Sequence, residues 1–214
     1  MKKDFVELVF ILDRSGSMSG LEKETMAGFN RLIEQQKEVK GEAVVSTVLF
    51  DDRFEVLHNR LNIQNVRHMT PEDYYVRGST ALVDAIGRSI TKMRRVHKEL
   101  AEELKPEKTI FFITTDGMEN ASKEFDYDKL KEFIDLQKEK YGWEFIFIGA
   151  NIDAIKTAER FGINQDRAVN YRSDERGTHL NYKVMNETIT KLRASKTIDA
   201  NWKDEIDEDF NKRN

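Results

Sequence analysis

Three short stretches of this chain carry oxygen donors in a pattern suited to a hard cation. The first is Asp13-Arg14-Ser15-Gly16-Ser17, where a carboxylate and two hydroxyls alternate with other residues. An extended turn there aims three oxygens at one point, and Gly16 removes a side chain where the backbone must bend. The second is Arg77-Gly78-Ser79-Thr80, and the third is Thr114-Thr115-Asp116-Gly117, with a carboxylate at its tip. Together Asp13, Ser15, Ser17, Thr80 and Asp116 offer two carboxylates and three hydroxyls. That set is poor equipment for zinc but suits Mg²⁺, which takes oxygen ligands and keeps waters readily. The competing reading is helix capping, because Ser and Asp are usual residues at helix starts. Capping would have to recur at all three places, which favours the metal.

Each stretch needs an element behind it. Residues 5–12 are an apolar run rich in Val, Ile and Phe, the pattern of a strand buried on both faces. Asp13 then falls at the carboxyl end of that strand, where open α/β sheets hold ligands. Residues 109–115 make a second such strand, ending at Asp116. Between them the spacing of Leu21, Met26, Phe29, Leu32 and Ile33 predicts a helix over 21–37. Strands are expected over 42–50 and 54–61, and only the turn at 51–53 separates them. Two strands that close form an antiparallel hairpin. Residues 62–78 are irregular, with a Tyr74-Tyr75 pair just ahead of the Thr80 loop. A long helix is expected over 82–104, then a helix over 127–141 and a strand over 143–149. A short helix over 152–161, an edge strand over 167–171 and a helix over 179–192 follow. Alternating strands and helices mean an α/β fold, a parallel sheet with helices on both faces.

The set Asp13-x-Ser15-x-Ser17, Thr80 and Asp116-Gly117 resembles the metal-ion-dependent adhesion site of von Willebrand factor type A domains, here in a small stand-alone form of bacterial type. The similarity in order and spacing runs over residues 5–192. It implies a Rossmann-like, doubly wound, mostly parallel six-stranded sheet in the order 3-2-1-4-5-6, with one antiparallel edge strand. It implies that Ser15, Ser17 and Thr80 touch the cation directly, while Asp13 and Asp116 act partly through water. The implied activity is a metal-dependent protein–protein interaction, with Mg²⁺ (or Mn²⁺ or Ca²⁺) capturing a Glu or Asp side chain of a partner protein. The rival is a Mg²⁺-dependent phosphohydrolase on a similar sheet. Its aspartyl-phosphate chemistry needs an acid two residues after Asp13, and Ser15 stands there. No phosphate-binding glycine loop or nucleophile elbow occurs either, so the expectation is a protein that is not an enzyme.

The expected organisation is one domain over residues 1–195 and an amphipathic C-terminal helix over 196–214. In that tail Ile198, Trp202, Ile206 and Phe210 recur every four residues. The stripe is expected to pack on its own domain; the alternative is docking to a partner or a second copy, so oligomeric state stays open. A net charge of −4 argues against nonspecific nucleic-acid binding. The absence of cysteine excludes disulfides and thiolate metal sites, and fits a reducing, cytoplasmic setting. Lys2-Lys3 ahead of an apolar run imitates a secretory leader, but Asp4 and Glu7 interrupt it and no small-residue cleavage site follows. No stretch approaches the roughly 18 apolar residues of a membrane span. Lys92, Arg94, Arg95, His97 and Lys98 form a basic patch that reads as a solvated helix face. Arg14 and Arg77 either steer an acidic partner or pair with local carboxylates, and Glu119 and Asn120 either brace the metal loop or cap it.

Overall fold

A computed structural model describes residues 1–195 and 197–213. Strand β1 (Lys2–Asp13) is buried from Phe5 to its end, as its apolar run requires. It pairs in parallel with β2 (Glu42–Phe50) on one side and β4 (Pro106–Thr115) on the other. Outside these lie β3 (Phe54–Asn62), β5 (Glu144–Gly149) and β6 (Ala168–Asn170), in the order β3-β2-β1-β4-β5-β6. Only the β2–β3 hairpin is antiparallel.

Side chains alternate along β1 and sort into two cores. Leu8, Phe10 and Leu12 face α1 (Glu22–Lys37) and α5 (Glu175–Ser195), packing on Phe29, Ile33, Met185 and Ile189. Val9 and Ile11 face α2 (Leu82–Glu99) and α3 (Tyr127–Tyr141), among Ile86, Ile90, Leu130 and Ile134. The short α4 (Ala154–Arg160) closes that second layer beside β6. No described helix is long and apolar enough to cross a membrane.

Three boundaries differ from the sequence expectation by four residues or more. Helix α2 stops at Glu99 rather than 104, because Leu100 turns extended and residues 102–104 form one 3₁₀ turn with Leu104 exposed. Helix α5 starts at Glu175 rather than 179, where the Asp174 carboxylate accepts the Gly177 amide. The tail is helical only as α6 (Asp204–Lys212). Trp202 donates its indole N–H to the Asp166 carbonyl, and Lys203 donates to the Gln165 and Ala168 carbonyls. These bonds pin the chain ahead of α6 in a turn. Ile198, Trp202 and Ile206 all enter the α1–α5 core, while Phe210 is half-buried with the Arg172 guanidinium 5.1 Å from its ring. Lys196 and Asn214 lie outside the described residues.

Two predictions follow from this packing. Trp202→Ala should cost about 3–5 kcal/mol in urea unfolding, the usual penalty for truncating a buried Trp; a loss under about 1 kcal/mol would show the tail is not part of the core. The second concerns His58, wholly buried on β3, stacked on Phe29 and within 2.9 Å of the Thr47 hydroxyl. Burial lowers its pKa to about 4, with the Arg67 charge adding to the effect. The unfolded chain therefore takes this proton first as pH falls. The stability it contributes is present above about pH 6.5 and is lost on the way down to about pH 4, a span on the order of 3 kcal/mol. Relative to His58→Gln, the native protein should lose that much between pH 7 and 4; parallel stability curves would refute it.

Candidate metal centre

The carboxyl ends of β1 and β4 are neighbours in the sheet, with Leu12 opposite Thr114. Asp13 ends β1, and Asp116 follows β4 by one residue. Asp13 uses both carboxylate oxygens locally. Oδ1 accepts the Ser15 amide at 2.7 Å and Oδ2 accepts the Thr115 hydroxyl at 2.5 Å. Ser15 Oγ then lies 3.0 Å from Ser17 Oγ, and the Thr80 hydroxyl donates to Ser15 Oγ at 2.9 Å. All five residues expected from the sequence thus meet at one end of the sheet.

Three loops are locked together to make this possible. Gly16 N–H donates to the Gly78 carbonyl and Arg77 N–H to that of Arg14, tying the first loop to the second. Thr80 N–H donates to Asn120 Oδ1 at 2.9 Å and Asn120 N–H returns to the Thr80 carbonyl at 3.0 Å, tying the second to the third. Asn120 therefore braces the Thr80 loop. Glu119 acts further back, accepting amides of Val83, Ala121 and Ser122 where α2 begins. A Cβ on Gly117 would sit 2.8 Å from Ser17 Oγ and 3.1 Å from Thr80 Oγ1, so a larger residue would press on these two hydroxyls and shift them. Gly78 has φ +66°, the left-handed region glycine tolerates.

Arg14 and Arg77 belong to an ionic cluster that is buried at Arg14 and Asp51 and reaches the surface at Glu55. Arg14 is fully buried and pairs with Asp51 at 3.1 Å and Glu55 at 2.7 Å; Arg77 pairs with Asp51 at 2.6 Å and also with Glu55. Arg14 foremost, then Arg77, holds the Glu55 carboxyl below its usual range. Both arginines are committed to these pairs and set the loop geometry. Three supporting residues escaped the sequence reading. Tyr74, almost wholly buried, donates its hydroxyl to the Asp13 carbonyl. Thr115 holds Asp13, and Ser173, from the loop before α5, donates to Asp116 Oδ2 at 3.0 Å. The Tyr74-Tyr75 pair was visible as a pair without a role; Ser173 lies 57 residues from its partner and no local pattern marks it.

Two features fit a hard divalent cation. Mg²⁺ with octahedral ligands at about 2.0–2.1 Å needs neighbouring oxygens about 2.8–3.0 Å apart. The two hydroxyl–hydroxyl distances, 3.0 and 2.9 Å, are hydrogen bonds whose length equals that edge, so an ion can replace the protons between them without spreading the oxygens. In addition, Asp116 Oδ1 is buried with no hydrogen-bond partner among the described residues. Burial pushes the Asp13 carboxyl up to about 6, against the pull of the Thr115 and Ser15 bonds, and the Asp116 charge adds to the rise. Positive charge is what this pocket lacks. No group of three or more His, Cys, Asp and Glu side chains able to hold a metal occurs among the described residues, consistent with a donor set built mainly of hydroxyls. Asp13, Ser15, Thr80 and Asp116 are buried and Ser17 is exposed, so the site opens on the Ser17 side. Met118 stands exposed beside it, bordering a groove of about 660 Å³ that Asn151, Ser173 and Phe210 also line.

No family model matches the sequence, and no curated protein matches it. Solved structures do. Proximal thread matrix protein 1 from the mussel byssus, in a form with a zinc-occupied metal-ion-dependent adhesion site motif, superposes with a TM-score of 0.57 at 15% identity, over 86% of this chain and 46% of that one. A von Willebrand factor type A protein from Catenulispora acidiphila gives 0.55 at 14% identity, over 86% and 42%. BatB from Bacteroides thetaiotaomicron gives 0.53 at 13% identity, over 89% of this chain and 100% of the other. The chain spans less than half the length of the first two. At these identities the likeness speaks to architecture alone, and in architecture this chain is a von Willebrand factor type A fold.

Proposed function

We propose that this protein is a non-enzymatic, metal-dependent protein-interaction module of the cytoplasm. A divalent cation, Mg²⁺ by the hardness of the donors or else Mn²⁺ or Ca²⁺, binds among Asp13, Ser15, Ser17, Thr80 and Asp116. The observation that carries this reading is the unpartnered, buried Asp116 Oδ1 beside three hydroxyls spaced as cation ligands. When bound, the cation supplies an electrophilic centre for an acidic side chain of a partner protein. The chain's own residues do the rest. Ser15, Ser17 and Thr80 bring neutral oxygens, so the positive charge is only partly neutralised. Asp13 holds the first loop in shape, and Asp116 balances charge from the third. Met118 and the groove beyond it give a partner apolar contact next to the ionic one. Phosphohydrolysis is disfavoured because both Asp13 oxygens are engaged and Ser15 occupies the acid's position.

Metal should stabilise the fold by RT ln(1 + [L]/Kd), about 1.4 kcal/mol at ten times Kd. Millimolar Mg²⁺ or Mn²⁺ should therefore raise Tm, and Ser15→Ala should remove the rise while the metal-free protein still melts cooperatively. A rise of unchanged size in Ser15→Ala would place the metal elsewhere.

Capture should run through one carboxylate. A partner isolated on the Mg²⁺-loaded protein should leave in chelator, and changing one of its Glu or Asp residues to Gln or Asn should break the complex. Thr80→Ala should weaken capture far more than metal binding, whereas Asp116→Ala should weaken both. Retention of the partner in chelator and on Thr80→Ala alike would remove this surface from the function. Phosphoester turnover that vanishes in Asp13→Asn would favour the phosphohydrolase.

A further inference from the structure

Asp116 presents its two carboxylate oxygens unequally. Oδ2 accepts the Ser173 hydroxyl at 3.0 Å, while Oδ1 is buried and has no hydrogen-bond partner among the described residues. Asp116 as a whole is buried, so bulk water does little to even out the difference. One oxygen is fastened and the other is on offer.

Ser173 comes from the loop between β6 and α5, and that loop is fixed on both sides of it. Before it, the buried Tyr171 donates its amide to the Gly149 carbonyl at 2.9 Å, which extends the pairing of β6 with β5. After it, the Asp174 amide donates to the Arg172 carbonyl at 2.8 Å. The Asp174 carboxylate accepts the Gly177 amide at 2.8 Å and pairs with Arg213, just past α6. A Cβ on Gly177 would fall 2.0 Å from the Arg172 carbonyl oxygen, so the turn is closed tightly on its own backbone. Backbone bonds and one ion pair thus set where the Ser173 hydroxyl is delivered.

A carboxylate fastened at one oxygen can give a cation only the other. Mg²⁺ demands near-ideal octahedral geometry in a compact shell, which a single oxygen from each carboxylate suits. Ca²⁺ accepts about six to eight ligands in looser geometry and takes carboxylates through both oxygens. Freeing Asp116 Oδ2 would let the side chain turn both oxygens to the ion, a mode that helps Ca²⁺ and not Mg²⁺. We propose that Ser173 is a specificity-determining residue of the metal centre, holding Asp116 to one oxygen and so favouring Mg²⁺ over Ca²⁺. The inference rests on the metal reading given above and adds to it the choice of ion, assigned to a side chain outside the five donors. A Ser173 that merely ordered the loop would affect both ions alike.

Calorimetric titration of the full chain with Mg²⁺ and, separately, with Ca²⁺ tests this. Ser173 is partly exposed and lines the groove beside Met118, so Ser173→Ala removes the hydroxyl without opening the core. In that variant Mg²⁺ affinity should fall by about tenfold, as losses of a ligand's supporting hydrogen bond usually do. Ca²⁺ affinity should fall less, so the ratio of the Ca²⁺ Kd to the Mg²⁺ Kd drops by about threefold or more. Ser173→Thr keeps the hydroxyl and should keep the native ratio. An unchanged ratio in Ser173→Ala overturns the proposal, whether both affinities fall together or both hold, and so does a Thr variant that behaves as the Ala variant. Should Ser173→Ala fail to melt cooperatively, Ser173→Gly takes its place with the same two outcomes. Native protein that binds neither ion contradicts the metal centre and this inference together, whereas native binding with an unchanged ratio contradicts this inference alone.

Discussion

Two carboxylates, Asp13 and Asp116, are taken out of water together at the ends of adjacent parallel strands, and the loops around them are built to tolerate it. Parallel pairing of β1 with β4 makes the encounter unavoidable, because both strands deliver their acid at the same edge. Burial penalises a charged carboxyl, and it pushes Asp13 up to about 6, with the neighbouring Asp116 charge adding a smaller part. Hydrogen bonds from Ser15 and Thr115 offset part of the cost for Asp13, and Ser173 offsets part for Asp116. One oxygen of Asp116 has no hydrogen-bond partner among the described residues. A divalent cation is the simplest group that would relieve both acids at once.

Holding that arrangement requires rigidity behind it. The Arg14–Asp51–Glu55–Arg77 cluster provides it by joining the first metal loop, the β2–β3 hairpin and the approach to Thr80. Within it only Arg14–Asp51 is buried on both sides, and removing one partner from such a pair costs about 3–5 kcal/mol, since a charge is left behind. Glycine does the complementary work at Gly117, where a Cβ would press on the Ser17 and Thr80 hydroxyls. The hydroxyls meanwhile contact one another, so the site keeps its shape through a network that needs little rearrangement to accept an ion.

Much of this was legible in the residues themselves. The apolar runs of β1 and β4 announced buried parallel strands, and the oxygen donors after them announced the place where the three loops meet. Helix α3 forms over the expected 127–141, and the structure shows Asp126 capping it and Gly142 ending it in the left-handed region. Other features depend on contacts far apart in the chain. Helix α2 was read too long because Leu104 continues the apolar pattern, although the backbone has already left the helix at Leu100. The tail stripe was legible, whereas the turn that holds Trp202 depends on the Asp166 carbonyl, supplied by a distant loop. Tyr74 and Ser173 were illegible for the same reason, whereas pairing of Arg14 with nearby carboxylates was expected and only its partners, Asp51 and Glu55, were not. Gln137 shows the other limit: periodicity places it on a helix, and only the packed structure leaves its amide without partners.

The central claim is that these five residues hold a metal, and its most direct test is crystallographic. Crystals grown with Mn²⁺, measured with X-rays at energies on either side of the manganese absorption edge, report the ion's position independently of any change in stability. One strong anomalous peak within about 2.0–2.3 Å of Ser15 Oγ, Ser17 Oγ and Thr80 Oγ1, with Asp116 close behind, is the expected result. No peak at the carboxyl end of β1, or a peak coordinated by other side chains, would contradict the account.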